Sequence, residues 1–338
     1  MSDSEHGSSG VLPYKKHDVV SVSQLDDMVF AVQQAALHRG MIPIAGVISR
    51  PLDDKKHEIL GFGNNRLADG IPGIHGETGA IIHMGRIETG YADLVCTSSL
   101  SPCSFCQCTL ARQLGIRTIR ILDDENYRPN KEDYRKAGIT PEIVPDSRIE
   151  ATFKTWVNDD RYKVLWNRDI GIATGLKKAP LTLTAAQMAA GMDRAERLAL
   201  RAETLGEAPI GAIILDNLGV VVGSGHAGIR AGNDASLVAA MAAWRAAGSR
   251  DDWGRHTLIL TAGPDYIALG MFKIFNFGQL IVGSDRVFAG QLQAVRDLGK
   301  PVSVRQTATQ ADAALKAWLA NNSPAHAREY FGADWEKV

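Results

Sequence analysis

The sequence predicts an α/β protein in which one three-layer α/β/α domain occurs twice in tandem. Three observations lead to that expectation. The chain has 338 residues, which at about 100–200 residues per domain makes two domains. Strand and helix patterns alternate along it, and such alternation implies a layered sheet with parallel pairs wherever a helix crosses over. Landmarks of the first half also recur in the second. Pro43-Ile44 and Pro209-Ile210 each introduce an apolar strand, 166 positions apart. Ser101-Pro102 is matched by Gly263-Pro264, and Lys154-Thr-Trp156 by Lys316-Ala-Trp318, both 162 positions on. A period this long is a whole domain, far beyond a solenoid repeat.

The first copy reads, in order, as helix 24–39, strand 43–49, strand 58–63, helix 77–88, strand 93–98, helix 104–114, strand 117–122, helix 131–137, strand 141–144 and helix 147–158. Each rests on apolar spacing, near 3.6 for helices and alternating or continuous for strands. In the second copy Asp216 to Gly219 supply turn chemistry for a hairpin within Ile213–Val222, and Ala235 to Ala247 reads as an Ala- and Met-rich helix. Gly175, Lys177, Lys178 and Pro180 break the pattern between the copies, and Thr184 with Gln187 forms a capping box for the next helix. These features place a disordered tail at 1–14, a first domain at 15–171, a linker at 172–185 and a second domain at 186–338.

Composition narrows the function. Lys plus Arg is 37 and Asp plus Glu is 38, a formal net charge of -1, which disfavours a dedicated nucleic-acid binder. No apolar run reaches the roughly 18 residues of a membrane helix. The polar, Ser/Gly-rich segment Met1 to Gly10 lacks the apolar core of a signal peptide. A cytoplasmic protein is expected, with neither nucleic-acid nor membrane partners.

All four cysteines, Cys96, Cys103, Cys106 and Cys108, lie within 13 consecutive positions. That clustering suits metal or redox chemistry rather than a disulfide framework. Cys96 sits in the apolar run Leu94-Val-Cys96 and reads as a small core hydrophobe. Cys103 and Cys106 form a Cys-x-x-Cys at a helix start, where helix dipole and metal both favour thiolate. His75, at the start of the preceding helix, can supply a third ligand. Three protein ligands leave zinc one position for water, whose pKa falls from about 15.7 toward about 7. Glu77, two residues after the histidine, is placed to carry protons without binding metal. Two other readings remain. Cys108 could complete a four-ligand structural zinc, although two positions beyond Cys106 on a helix it points elsewhere. The Cys pair could also be a metal-free redox pair. His83 and His226 read as surface, loop or core residues.

The pattern His75-Gly-Glu77 followed by Pro102-Cys103-Ser-Phe-Cys106 is the His-x-Glu…Pro-Cys-x-x-Cys signature of zinc deaminases. At these residues the chain resembles the cytidine deaminase superfamily, and within it the fungal-type cytosine deaminases that act on the free base. The resemblance extends over most of 25–171. It includes Gly61-Phe-Gly-Asn-Asn65, Leu100-Ser-Pro-Cys103 and Trp166-Asn-Arg-Asp-Ile-Gly171. It implies a cytidine-deaminase-like fold, one Zn²⁺ on His75, Cys103 and Cys106, and Glu77 as proton shuttle. It further implies that Trp166 walls the pocket and that Asp169 accepts from the exocyclic amine. Asn65 and the Gly76 amide would bond the ring, with Ser101 and Tyr127 also against substrate. Tyr127 and Ala68 stand where the resembled family carries phenylalanines, which leaves room for creatinine, another cyclic amidine or a substituted pyrimidine.

The second copy has Ala235-Ser-Leu-Val-Ala-Ala-Met241 in the His-Gly-Glu region and Pro264-Asp-Tyr-Ile-Ala268 in the cysteine region. It is expected to keep the fold without the chemistry. It would stand in for the second subunit of a homodimer as an intramolecular pseudo-dimer, with further self-association left open. The function expected is hydrolytic deamination of a small heterocyclic amine. A zinc-stabilised binding or regulatory module is the alternative from another class.

Overall fold

The structure, a computed structural model, describes residues 12–171, 183–250 and 252–337. The tail expected at 1–14 and the linker expected at 172–185 fall mainly outside these residues. Leu12 and Tyr14 are half-buried against the first half's core. Thr184 caps the following helix as expected, its Oγ1 accepting from the Gln187 amide at 3.2 Å while Gln187 Oε1 accepts from the Thr184 amide at 2.8 Å.

The first half builds a sheet from β1 (Val19–Ser21), β2 (Ala45–Pro51), β3 (Lys56–Asn64), β4 (Val95–Ser98), β5 (Thr118–Ile121) and β6 (Glu142–Ile143), in spatial order β1-β3-β2-β4-β5-β6. Its helices are α1 (Val22–His38), α2 (Gly76–Met84), α3 (Ser104–Gln107), α4 (Glu132–Lys136), α5 (Ser147–Val157) and α6 (Lys163–Asp169). The second half has α7 (Ala185–Thr204), β7 (Gly211–Leu215), β8 (Val221–His226), α8 (Ala239–Ala247), β9 (Thr257–Leu260), α9 (Tyr266–Phe275), β10 (Gln279–Val282), α10 (Leu292–Asp297), β11 (Val302–Val304), α11 (Thr309–Asn321) and α12 (Pro324–Phe331). Its sheet runs β11-β10-β9-β7-β8.

The two sheets repeat one plan. β2 lies antiparallel to β3 and β4, after which β4, β5 and β6 are parallel. β7 lies antiparallel to β8 and β9, and β9, β10 and β11 are parallel. Even the irregularity recurs. The register slips between Ile48 and Ser49 in one hairpin and between Ile214 and Leu215 in the other, again 166 positions apart.

Alternation along each strand makes the three layers. Val47 and Ile59 pack with Leu25, Met28 and Val29 of α1 on one face. Ile48 and Leu60 pack with Ala80 and Ile81 of α2 on the other. In the second half Ile213 and Ile259 face α7, while Ile214 and Leu260 face α8 and α9.

Three features were not legible beforehand. The edge strand β1 has only three residues. The helix expected over 104–114 begins as α but continues as a π-helix over Cys108–Leu114, a rare form that often marks functional segments. The helix expected from Ala235 starts at Ala239, with Val238 as its N-cap.

The halves meet through their inner helix layers. Cys103, Phe105, Cys106 and Cys108 share one apolar cluster with Met241, Trp244, Phe272 and Phe275. A Cβ on Gly270 would lie 2.9 Å from the Phe105 Cα, so α3 and α9 approach backbone to backbone at this glycine. Lys273 Nζ lies 2.6 Å from both Asp133 carboxylate oxygens, and Glu329 receives Arg86 in two bonds of 2.6 and 2.9 Å. Residues 1–175 expressed alone would leave Phe105 and Cys108 in water. We expect that fragment to self-associate or precipitate, and a monodisperse monomer in size-exclusion chromatography with light scattering would contradict it.

Asp265 takes the place that Cys103 holds in the first half, as N-cap of the helix after the strand. Its carboxylate is buried and accepts from the Ala268 amide at 2.7 Å. Burial pushes its pKa up to about 6, against the lowering effect of backbone amides. The folded state therefore holds this proton more tightly than the unfolded chain. Stability is full below about pH 4 and declines as pH rises toward 6, by roughly 3 kcal/mol at most. Asp265→Asn keeps the cap without the charge. Urea melts at pH 4.5 and 7 should show the variant gaining stability relative to wild type at the higher pH.

Candidate metal centre

Two helix starts converge on one point. α2 begins with His75 as N-cap, and its amide donates to Thr78 Oγ1 at 2.8 Å. The helix start lies directly on β2, because a Cβ on Gly76 would sit 2.6 Å from the Ala45 carbonyl carbon. Only glycine allows that approach, which accounts for the middle residue of His-Gly-Glu. α3 begins with Cys103 as N-cap, at the end of the loop after β4.

His75 Nδ1 lies 3.5 Å from Cys103 Sγ and 3.4 Å from Cys106 Sγ. The three donor atoms are all within 4.8 Å of one another, and all three residues are buried. This donor set fits zinc. Zn–N of about 2.0–2.1 Å and Zn–S of about 2.3 Å at tetrahedral angles put nitrogen and sulfur about 3.5 Å apart, the separation found. Among the described residues no fourth His, Cys, Asp or Glu joins the group. Cys108 turns toward Asp133 instead, which disfavours the four-ligand reading, and Cys96 is a core residue of the β4 layer.

The other groups gather around this cluster. Glu77 is 2% exposed. Its Oε1 accepts from Ser98 Oγ at 3.0 Å and its Oε2 from Cys106 Sγ at 3.3 Å. Asp169 Oδ1 accepts from Asn65 Nδ2 at 2.8 Å and lies 3.4 Å from His75 Nε2. Asn65 Oδ1 in turn accepts from the Leu67 amide at 2.9 Å. A carboxylate on the outer nitrogen of a ligating histidine sets its tautomer and ring plane.

A small cavity beside the donors is lined by His75, Glu77, Cys103, Ser101, Tyr127, Trp166 and Asp169, together with Ile44, Leu100 and Ile170. Tyr127 and Trp166 meet edge to face with centroids 5.4 Å apart. Ser101 Oγ is buried there and finds no hydrogen-bond partner among the described residues. Of the residues expected to bind substrate, Ser101, Tyr127, Trp166 and Asp169 line the cavity. Gly76 lies between the lining residues His75 and Glu77. Asn65 does not line it but sits behind Asp169. Ile44, Leu100 and Ile170 had no polar signal to single them out.

Electrostatics follow from crowding buried ionisable groups together. Burial alone would push the His75 pKa down, but the Asp169 carboxylate and Cys103 sulfur outweigh it and raise it to about 10. Burial would raise Cys103, yet the Cys106 thiol and the His75 charge hold it well below the ordinary thiol range. Cys106, buried beside that sulfur, goes up. Burial and the Cys103 charge push Glu77 up to about 6, where a carboxyl can both take and give a proton near neutrality.

No protein-family model matches the chain, and no curated protein matches it. Solved structures do. One is from work on tRNA:A34 deaminases of A-to-I editing at the wobble position, with 21% identity over 39% of this chain and 99% of that one, TM-score 0.33. Another is a guanine deaminase from Nitrosomonas europaea, with 18% identity over 42% and 88%, TM-score 0.36. The dCMP deaminase of cyanophage S-TIM5 shows 16% identity over 35% and 98%, TM-score 0.23. Identities and scores this low leave the reading of the site to its own geometry.

The ligand set is directly testable. Purified chain should hold one equivalent of zinc, measured by elemental analysis after desalting. His75→Ala, Cys103→Ser and Cys106→Ser should each release it, whereas Cys96→Ser and Cys108→Ser should retain it. Retention by any of the first three would remove that residue from the site.

Proposed function

We propose that the chain is a zinc-dependent hydrolytic deaminase. It would exchange the amino group of a small free heterocycle for a carbonyl, consuming water and releasing ammonia. The observation that carries this reading is Glu77, a buried carboxylate with a raised pKa, hydrogen-bonded to a ligand sulfur beside a three-donor cluster. A structural zinc site has no use for such a group, since its fourth position is filled by protein.

When bound, zinc supplies Lewis acidity and ionised water at neutral pH. The chain's own groups do the rest. Glu77 takes the proton of the attacking water and delivers protons to the ring nitrogen and the leaving amine. Asp169, held by Asn65, accepts from that amine. The Gly76 amide and the unpartnered Ser101 hydroxyl face the ring edge, and Tyr127 with Trp166 wall its flat sides. The cavity spans about 20 Å³, about the space of one water. A ring therefore enters only as Trp166 and α6 yield.

Cytosine or a close analogue is the first substrate to try. The Tyr127 hydroxyl and the small Ala68 keep creatinine and other cyclic amidines on the same list. The second half is proposed to replace a partner subunit, in a protein of the cytoplasm. Among the described residues no helix is long and apolar enough to cross a membrane.

Ammonia release from zinc-loaded protein should be screened on cytosine, 5-substituted cytosines, creatinine, guanine and cytidine. Glu77→Gln should keep its zinc and lose about 10²–10⁴-fold of the turnover found. Near-native turnover in that variant would overturn the acid/base role. Retained fold and no activity on any amine would favour a binding module.

A further inference from the structure

Resting on the ligand reading above, we propose that Phe275 and Trp244, both from the second half, are positioning residues for the first half's metal site. They hold the His75 ring and the Cys103–Cys106 turn in register.

The need arises from what the hydrogen bonds leave undone. His75 Nδ1 faces the two sulfurs and Nε2 faces Asp169. These contacts act in the plane of the ring, and the last torsion of histidine is intrinsically broad. The ring faces are held by packing alone. His75 meets Phe105 with centroids 5.6 Å apart at 69°, and Phe275 at 6.0 Å and 70°. Phe105 and Phe275 meet each other at 6.1 Å and 68°, so the three rings form a closed triangle. Trp244 covers it, 5.5 Å from Phe105 and 4.6 Å from Phe275.

The Trp244 ring and the backbone next to Phe275 also press on the chain around the site. A Cβ on Gly73 would come within 2.5 Å of the Trp244 ring, so the loop leading into His75 rests directly on the indole. At Gly171, just past Asp169, a Cβ would come within 1.6 Å of the Ile274 carbonyl oxygen, next to Phe275. The C-terminal end of α9 thus abuts the histidine ring and the segment that closes the cavity. Trp244 is fully buried, and its Nε1 finds no hydrogen-bond partner. Its place is explained by shape, not by a polar contact.

Cobalt(II) provides the test, since its visible absorption reports both occupancy and geometry of a His/Cys/Cys site. In the full chain, Phe275→Ala should weaken cobalt affinity about tenfold, the scale of losing a residue that orients a ligand, and should alter the band shape. Phe275→Leu, which refills the volume, should recover most of the affinity. Phe272→Ala is the control. Phe272 is equally buried on α9 but packs on Phe277, so this variant should lower the melting temperature and leave the cobalt spectrum alone. A Phe275→Ala protein that matches wild type in affinity and spectrum overturns the proposal, as does a Phe272→Ala protein that loses cobalt equally. A wild-type chain that takes up no cobalt removes the ligand reading, and this role with it. Loss of deaminase activity alone touches only the proposed function.

Discussion

Five ionisable side chains are buried together: His75, Glu77, Cys103, Cys106 and Asp169, each no more than 6% exposed. That concentration is the constraint the rest of the first half answers to. Buried charge is tolerated only when paired and hydrogen-bonded. Here imidazole faces carboxylate and sulfur, Asn65 supports Asp169, and Ser98 supports Glu77. A divalent cation among the three donors would satisfy the sulfurs better than a shared proton, because both could then be thiolates. The loops, the close approach of α2 to β2 and the aromatic cover read as means of holding this cluster together and keeping water out.

The second half shows what the fold looks like once that constraint is lifted. Strand order, hairpin slip and helix placement are kept, but Val238 now caps α8 where His75 caps α2. Asp265, in the place of Cys103, caps its own helix. Phe288, 161 positions after Tyr127, packs on Phe331 with centroids 4.5 Å apart. Where the first half crowds ionisable groups beside a cavity, the second half places apolar rings. The same sheet plan is therefore compatible with either interior.

What could be read beforehand follows from the range of each interaction. The motif residues lie within a few positions of helix starts, and helix starts have local signals, so His75, Glu77, Cys103 and Cys106 were legible in the chain. The order of strands and helices was legible because apolar alternation is local and repeats at a fixed offset, whereas the strand order in each sheet was not. The three-residue strand β1 was not, since pairing with β3 rather than composition makes it a strand. Helix α6 was not, because its closure over Asn65 and Tyr127 is tertiary. The π segment from Cys108 gave no compositional sign. Phe275 and Trp244 were least legible of all. They lie more than a hundred positions from the ligands, in a half that carries no such motif.

Among the described residues the second half offers no donor cluster of its own, yet its inner helix layer is pressed on the first half's histidine. In a symmetric dimer each subunit must both react and brace its neighbour, and one surface has to serve both ends. If the second half stands where a partner subunit would, as proposed, the two tasks fall to different halves. The first half holds the polar cluster, while the second is apolar where it meets it. The Ala- and Met-rich face of α8 and the aromatic end of α9 are what such a division of labour would leave behind. The asymmetry of the two halves is then part of how the site is built.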